Sequence, residues 1–151
     1  LCALWPKDLG FSAGQTSTEY FRFLMANSNG AVTARAAGRT GSGISPALLA
    51  EEGVPVAATS AAFSPQNNAW SVLCIGSDAP AETPFLISRN VDWGPVASTS
   101  AVIRLKDERP FRCTRAVWVT RGGTYYSVRL LYLNDKLCEA IGTNRYDVLY
   151  P

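Results

Sequence analysis

Apolar and β-branched residues recur in short runs over the second half of the chain, and those runs predict strands rather than helices. One strand is predicted over residues 70–75, between Asn67-Asn68 and Gly76-Ser77-Asp78, and a second over Pro84–Ser88. The intervening residues 77–83 carry Pro80 and two acids and read as a hairpin loop. A shorter strand is expected over residues 101–105, ahead of a charged turn at 106–110. The clearest signal is the pair Arg115–Thr120 and residues 124–130, joined through Arg121-Gly122-Gly123. Gly-Gly between two such runs predicts a tight primed turn, because that turn needs positive φ at its central residues. Alternation then places Val117 and Val119 on one face and Ala116 and Trp118 on the other.

The first half reads differently. Thr16 stands three residues before Glu19 in a capping-box pattern, and Tyr20, Phe21, Phe23, Leu24 and Met25 carry a helix to about Ala26. Residues 29–45 are rich in Gly, Ala, Thr and Arg without a period and are expected to form an exposed loop. The glycines there lack the spacing and the leading strand of a phosphate-binding loop. Ser45-Pro46 opens a short helix over residues 47–52, closed by Gly53. The tail after Leu130 shows turns and a short helix near residues 135–141, with little strand pattern. The whole predicts one α+β domain over residues 1–151, an antiparallel sheet with short helices.

Composition narrows the function classes. At 151 residues and 47% hydrophobic content the chain is long enough to bury one sizeable core. Charged residues make up 17%, below the roughly 25% of an average soluble domain, which implies surfaces normally covered by partners. A net charge of +2, from 14 basic and 12 acidic residues, gives no global pull on nucleic acid or anionic membranes. Histidine is absent, which excludes Ser-His-Asp and Cys-His nucleophile activation and His-bearing zinc sites. Three lysines in ordinary contexts and no arguable carboxylate pair complete a reading in which no enzyme, metal or cofactor is expected. Asp78 and Glu82 lack the companion acids that calcium requires.

Four cysteines, Cys2, Cys74, Cys113 and Cys138, form no C-x-x-C pair but permit two disulfides in three connectivities. Cys113 and Cys138 flank the hairpin, so their pairing is expected first, leaving Cys2 with Cys74; such a link would tie down a tail poor in core. A basic cluster of Arg104, Lys106, Arg109, Arg112 and Arg115, interrupted by Asp107 and Glu108, reads mainly as a solvated turn with its own ion pairs. Trp93 with Arg104, Arg109 and Arg112 is a candidate interaction surface.

The order of elements resembles the globular part of bacterial prepilin-type proteins, the type IV pilins and type II secretion pseudopilins. The resemblance rests on Leu4-Trp5-Pro6, residues 16–21, Asn67-Asn68-Ala69-Trp70, residues 83–90 (Thr-Pro-Phe-Leu-Ile-Ser-Arg-Asn) and the hairpin at 117–126. It covers the chain from Leu4 to about Val128 and implies an extracellular or cell-surface filament subunit that contacts copies of itself. Proteins of this kind carry an apolar N-terminal helix. The chain opens on Leu1 with no signal peptide and no apolar run of bilayer length, so that helix is expected either to have been removed or to reside on a separate helical pilin subunit. A second reading is a secreted module binding carbohydrate or nucleic acid, with Trp70, Trp93, Trp118, Tyr125 and Tyr126 as stacking surfaces.

Overall fold

The computed structural model describes residues 5–27, 64–66, 68–108 and 111–151. The loop expected at 29–45 and the helix at 47–52 lie outside the described residues, as do Cys2, Asn67 and Arg109.

Helix α1, Ser17–Asn27, starts where its capping pattern places it: Thr16 Oγ1 accepts the Glu19 N–H at 3.1 Å. Tyr20, Phe21 and Leu24 are buried, so the helix offers one apolar stripe to the core. Tyr20 meets Phe85 and Phe11 edge-on, and Trp5 meets Phe85 in the same manner, a favoured aromatic geometry. Ser17 and Thr18 are also buried, which demands partners for both hydroxyls.

Those partners come from the start of strand β1, Trp70–Leu73. Asn68 Nδ2 donates to Ser17 Oγ at 2.8 Å and Thr18 Oγ1 at 3.0 Å, while its Oδ1 accepts the Trp70 N–H at 3.1 Å. Ser17 Oγ in turn donates to the Trp70 carbonyl at 2.6 Å.

The described strands form two antiparallel sheets. The larger runs in the order β4-β8-β1-β2-β6-β7, with β2 at Pro84–Ser88, β4 at Val96–Ala97, β6 at Arg115–Thr120, β7 at Tyr125–Arg129 and β8 at Tyr146–Leu149. Strands β3, Val91–Asp92, and β5, Arg104–Leu105, pair as a separate ribbon. Every residue of β1 and β2 is buried, as is β6 beyond Arg115, so both faces of the sheet centre are covered. The α+β antiparallel architecture agrees with the sequence reading.

Three details differ from it. The β6–β7 connection is a three-residue turn in which the Gly123 N–H donates to the Thr120 carbonyl and the Thr120 N–H to that of Thr124, each at 2.9 Å. Only Gly123, at φ +92°, needs positive φ. Gly122 is required for closeness instead: its N–H donates to the Ala81 carbonyl, and a Cβ there would lie 3.1 Å from that oxygen.

The second difference is the tail. Residues 130–141 form one helix, α2, Leu130–Ile141, rather than a strand end followed by a short helix. Leu133, Leu137 and Ile141 are buried on one stripe, packed over β2, β6 and β7. Gly142, at φ 61°, ends it by returning its N–H to the Cys138 carbonyl. Third, the unforeseen β8 inserts between β4 and β1, pairing Val72 with Leu149 and Leu73 with Val148. The tail is therefore well supplied with core.

Two substitutions check this account. Asn68→Ala deletes three hydrogen bonds and strands the buried Thr18 hydroxyl and the Trp70 N–H, while Ser17 Oγ keeps its bond to the Trp70 carbonyl; a loss on the order of 3 kcal/mol is expected in urea denaturation. Gly123→Ala, which forces a side chain into positive φ, should cost about 1–2 kcal/mol by the same measurement.

Candidate interaction surface

Ser88, Arg89 and Asn90, at the end of the stretch 83–90, direct their polar groups to the fold. Ser88 Oγ accepts the Val117 N–H at 3.0 Å and so helps hold β2 to β6. Arg89 donates through Nη1 to the carbonyls of Pro65, Gln66 and Asn68, and through Nε to Glu108 Oε2 at 3.1 Å. Asn90 Nδ2 donates to the carbonyls of Arg112 and Arg115 at 2.6 and 2.7 Å, fixing the turn before β6. Each of the three donates to or accepts from the backbone of another segment, while the buried Asn90 Oδ1 has no partner among the described residues.

Trp93 is not part of a surface. It is 1% exposed, its indole N–H donates to the Ser98 carbonyl at 3.1 Å, and its backbone N–H donates to the Tyr150 hydroxyl. Trp70 and Trp118 are equally interior, so three of the five rings considered for stacking face no ligand. Tyr125 is half-buried, and Tyr126, 41% exposed, stacks on Trp118 at 5.4 Å. The basic cluster is partly neutralised from within: Arg112 pairs with Asp107 at 3.3 Å and Lys106 with Glu108 at 3.8 Å. Arg104 is exposed on β5, where it pairs in register with Asp92. Of the four residues expected to form one surface, Trp93 is buried, Arg104 and Arg112 are exposed, and Arg109 lies outside the described residues.

The bridge expected between Cys113 and Cys138 is not formed. Both are free, as is Cys74. The Cys113 thiol faces the Leu105 carbonyl at 3.8 Å and the Cys138 thiol faces that of Thr99 at 4.0 Å, so they are directed at different segments. Cys74 lies beside a recess of about 340 Å³ shared with Lys7, Phe11, Arg145 and Asp147. Burial pushes its thiol up to about 11, with Asp147 adding to the rise and Lys7 opposing it. At neutral pH it is a protonated core thiol that donates to the Phe11 carbonyl at 2.9 Å.

Among the described residues no group of His, Cys, Asp and Glu side chains is placed to hold a metal ion, and no helix is long and apolar enough to cross a membrane. What the surface does present lies at one end of the sheet. Strand β7 is an outer strand of five residues, mostly exposed, whereas the opposite edge, β4, is only two residues long. From β7 the chain passes directly into Leu130, Leu131 and Tyr132, which are 51, 80 and 57% exposed. Those residues escaped sequence reading because they look like a strand continuing inward. The helical spacing of Leu133, Leu137 and Ile141 was the signal that assigns the buried stripe elsewhere.

Comparison of the chain with protein-family models, curated proteins and solved structures finds no match.

The thiol arrangement has a direct test. In the folded chain at pH 8, iodoacetamide should label Cys113 and Cys138, while Cys74 should label only after denaturation. Recovery of a Cys113–Cys138 disulfide peptide from non-reduced protein would contradict the geometry.

Proposed function

We propose that the domain is a structural subunit of an extracellular filament of the pilus or pseudopilus kind. It adds to copies of itself through the β7 edge and the apolar start of α2. The observation that carries this reading is the run Leu130, Leu131 and Tyr132, exposed where the chain leaves an outer strand. Isolated apolar residues are ordinary on a protein surface, but a contiguous set next to an open strand edge favours association. The low charge content supports the same reading, since covered surfaces need fewer charges. The ordered motifs from residue 67 to residue 90 support the pilin form of it, with copies of this chain as partners and a separate helical pilin subunit as the candidate that fills the filament axis. The carbohydrate- or nucleic-acid-binding alternative loses ground because Trp70, Trp93 and Trp118 are interior.

Electron microscopy of the native material should show this chain repeating helically. In Leu131→Lys combined with Tyr132→Lys, circular dichroism should be unchanged and stability should move by about 0.5 kcal/mol or less, while assembly is lost. A native protein that stays monomeric at every concentration, with no filament and no helical partner, defeats the proposal. So does a double variant that assembles as the parent chain does.

A further inference from the structure

Arg115 on β6 and Arg129 on β7 are direct cross-strand partners in the hairpin register. Strand alternation puts Ser127 on the same face, two residues from Arg129. Residues directly opposite in an antiparallel pair hold their Cβ atoms roughly 5 Å apart, a distance at which like charges destabilise the hairpin. Among the described residues neither guanidinium has a carboxylate within ion-pair distance, although Arg89, Lys106 and Arg112 all do.

The same strand end carries a second unfavourable feature. Arg129 is the N-cap of α2, makes no side-chain capping bond, and is followed by a first turn without an acidic residue. A helix N-terminus has orphan N–H groups and partial positive charge, and it ordinarily takes Ser, Thr, Asp or Asn at the cap. Here it takes a cation. The two guanidiniums and the uncapped helix start thus accumulate positive charge at one strand end, and among the described residues no carboxylate pairs with either guanidinium.

The two arginines also border a space. A surface recess of about 250 Å³ is lined by Thr114, Arg115, Ser127 and Arg129, with no carboxylate in its wall. Thr114 Oγ1 is committed to the Phe111 carbonyl at 2.6 Å, whereas the Ser127 hydroxyl makes no hydrogen bond among the described residues. The backbone beneath is fixed, because Asn90 Nδ2 holds the Arg115 carbonyl at 2.7 Å and Arg115 is paired with Arg129 in the β6–β7 ladder.

We propose that Arg115 and Arg129, with the Ser127 hydroxyl, form a binding site for a tetrahedral oxyanion, a phosphate or sulfate group. Each guanidinium presents a planar fork of N–H donors that matches a pair of oxygens. A carboxylate has two oxygens in one plane and satisfies one fork. A tetrahedral group offers oxygens on several sides, so two forks and a hydroxyl can each find an acceptor. Its negative charge offsets the like-charge contact between the two guanidiniums.

The test is titration of the full chain followed by amide NMR shifts at Arg115, Ser127 and Arg129, at constant ionic strength. Inorganic phosphate and sulfate should give saturable shifts confined to this recess, while chloride and acetate should not. Arg115→Gln and Arg129→Gln should each weaken phosphate binding at least tenfold, and Arg104→Gln, on the separate β3–β5 ribbon, should leave it unchanged. Saturation by methyl phosphate as well as by inorganic phosphate would assign the site to an esterified group on a larger molecule; saturation by the free ion alone would assign it to a small ion. All three variants lie on the surface, so each should stay folded, and in chloride the two glutamine variants at the recess should be at least as stable as the parent chain. Equal responses to phosphate and acetate would overturn the proposal. Parent-level affinity in the Arg115→Gln/Arg129→Gln double variant would do so equally.

Discussion

The buried amide of Asn68 is the constraint on which the arrangement of α1 and the sheet depends. A helix whose first turn carries two buried hydroxyls cannot be packed by apolar contact alone, since each unpaired polar group in the interior costs about 1–3 kcal/mol. Asn68 answers both hydroxyls with one NH₂ group and uses its oxygen to hold Trp70 at the start of β1. Directional bonds of this kind fix orientation where apolar packing would tolerate sliding. The aromatic contacts of Tyr20 with Phe85 and Phe11 then add burial to an orientation already set.

A similar economy appears around β2. Its Ser88 secures β6, Arg89 gathers the carbonyls that precede β1, and Asn90 anchors the turn leading into β6. Three consecutive polar residues at one strand end thus organise three segments that are distant in sequence. The β3–β5 ribbon is tied to this corner as well, because the Lys106 N–H donates to the Asn90 carbonyl.

The parts of this fold that could be read from sequence are those with local causes. The α1 cap needs only Thr16 and Glu19, and β1, β2, β6 and β7 announce themselves by β-branched and aromatic runs between turn residues. The missed parts have non-local causes. Strand β8 contains Asp147 and is only four residues long; it is a strand because Val72 and Leu73 offer it an edge. Leu130 to Tyr132 continue an apolar run, and only the packing of Leu133, Leu137 and Ile141 on the sheet decides for helix. Trp93 was misplaced because an indole flanked by Asp92 and Gly94 looks exposed until Ser98 supplies its acceptor. The Arg115–Arg129 pair was accessible by counting outward equally from Gly122, the midpoint of the hairpin, a step that matters only once the register is known.

The position of β8 also has a consequence for the integrity of the sheet. This four-residue strand fills the gap between β4 and β1, and without it β1 has a hydrogen-bonded partner on one side only. Val72 and Leu73 would then present an unpaired apolar edge in the middle of the sheet, the kind of edge on which a strand of another chain can add. A short segment of weak strand character thus acts as the seal between two parts of one sheet.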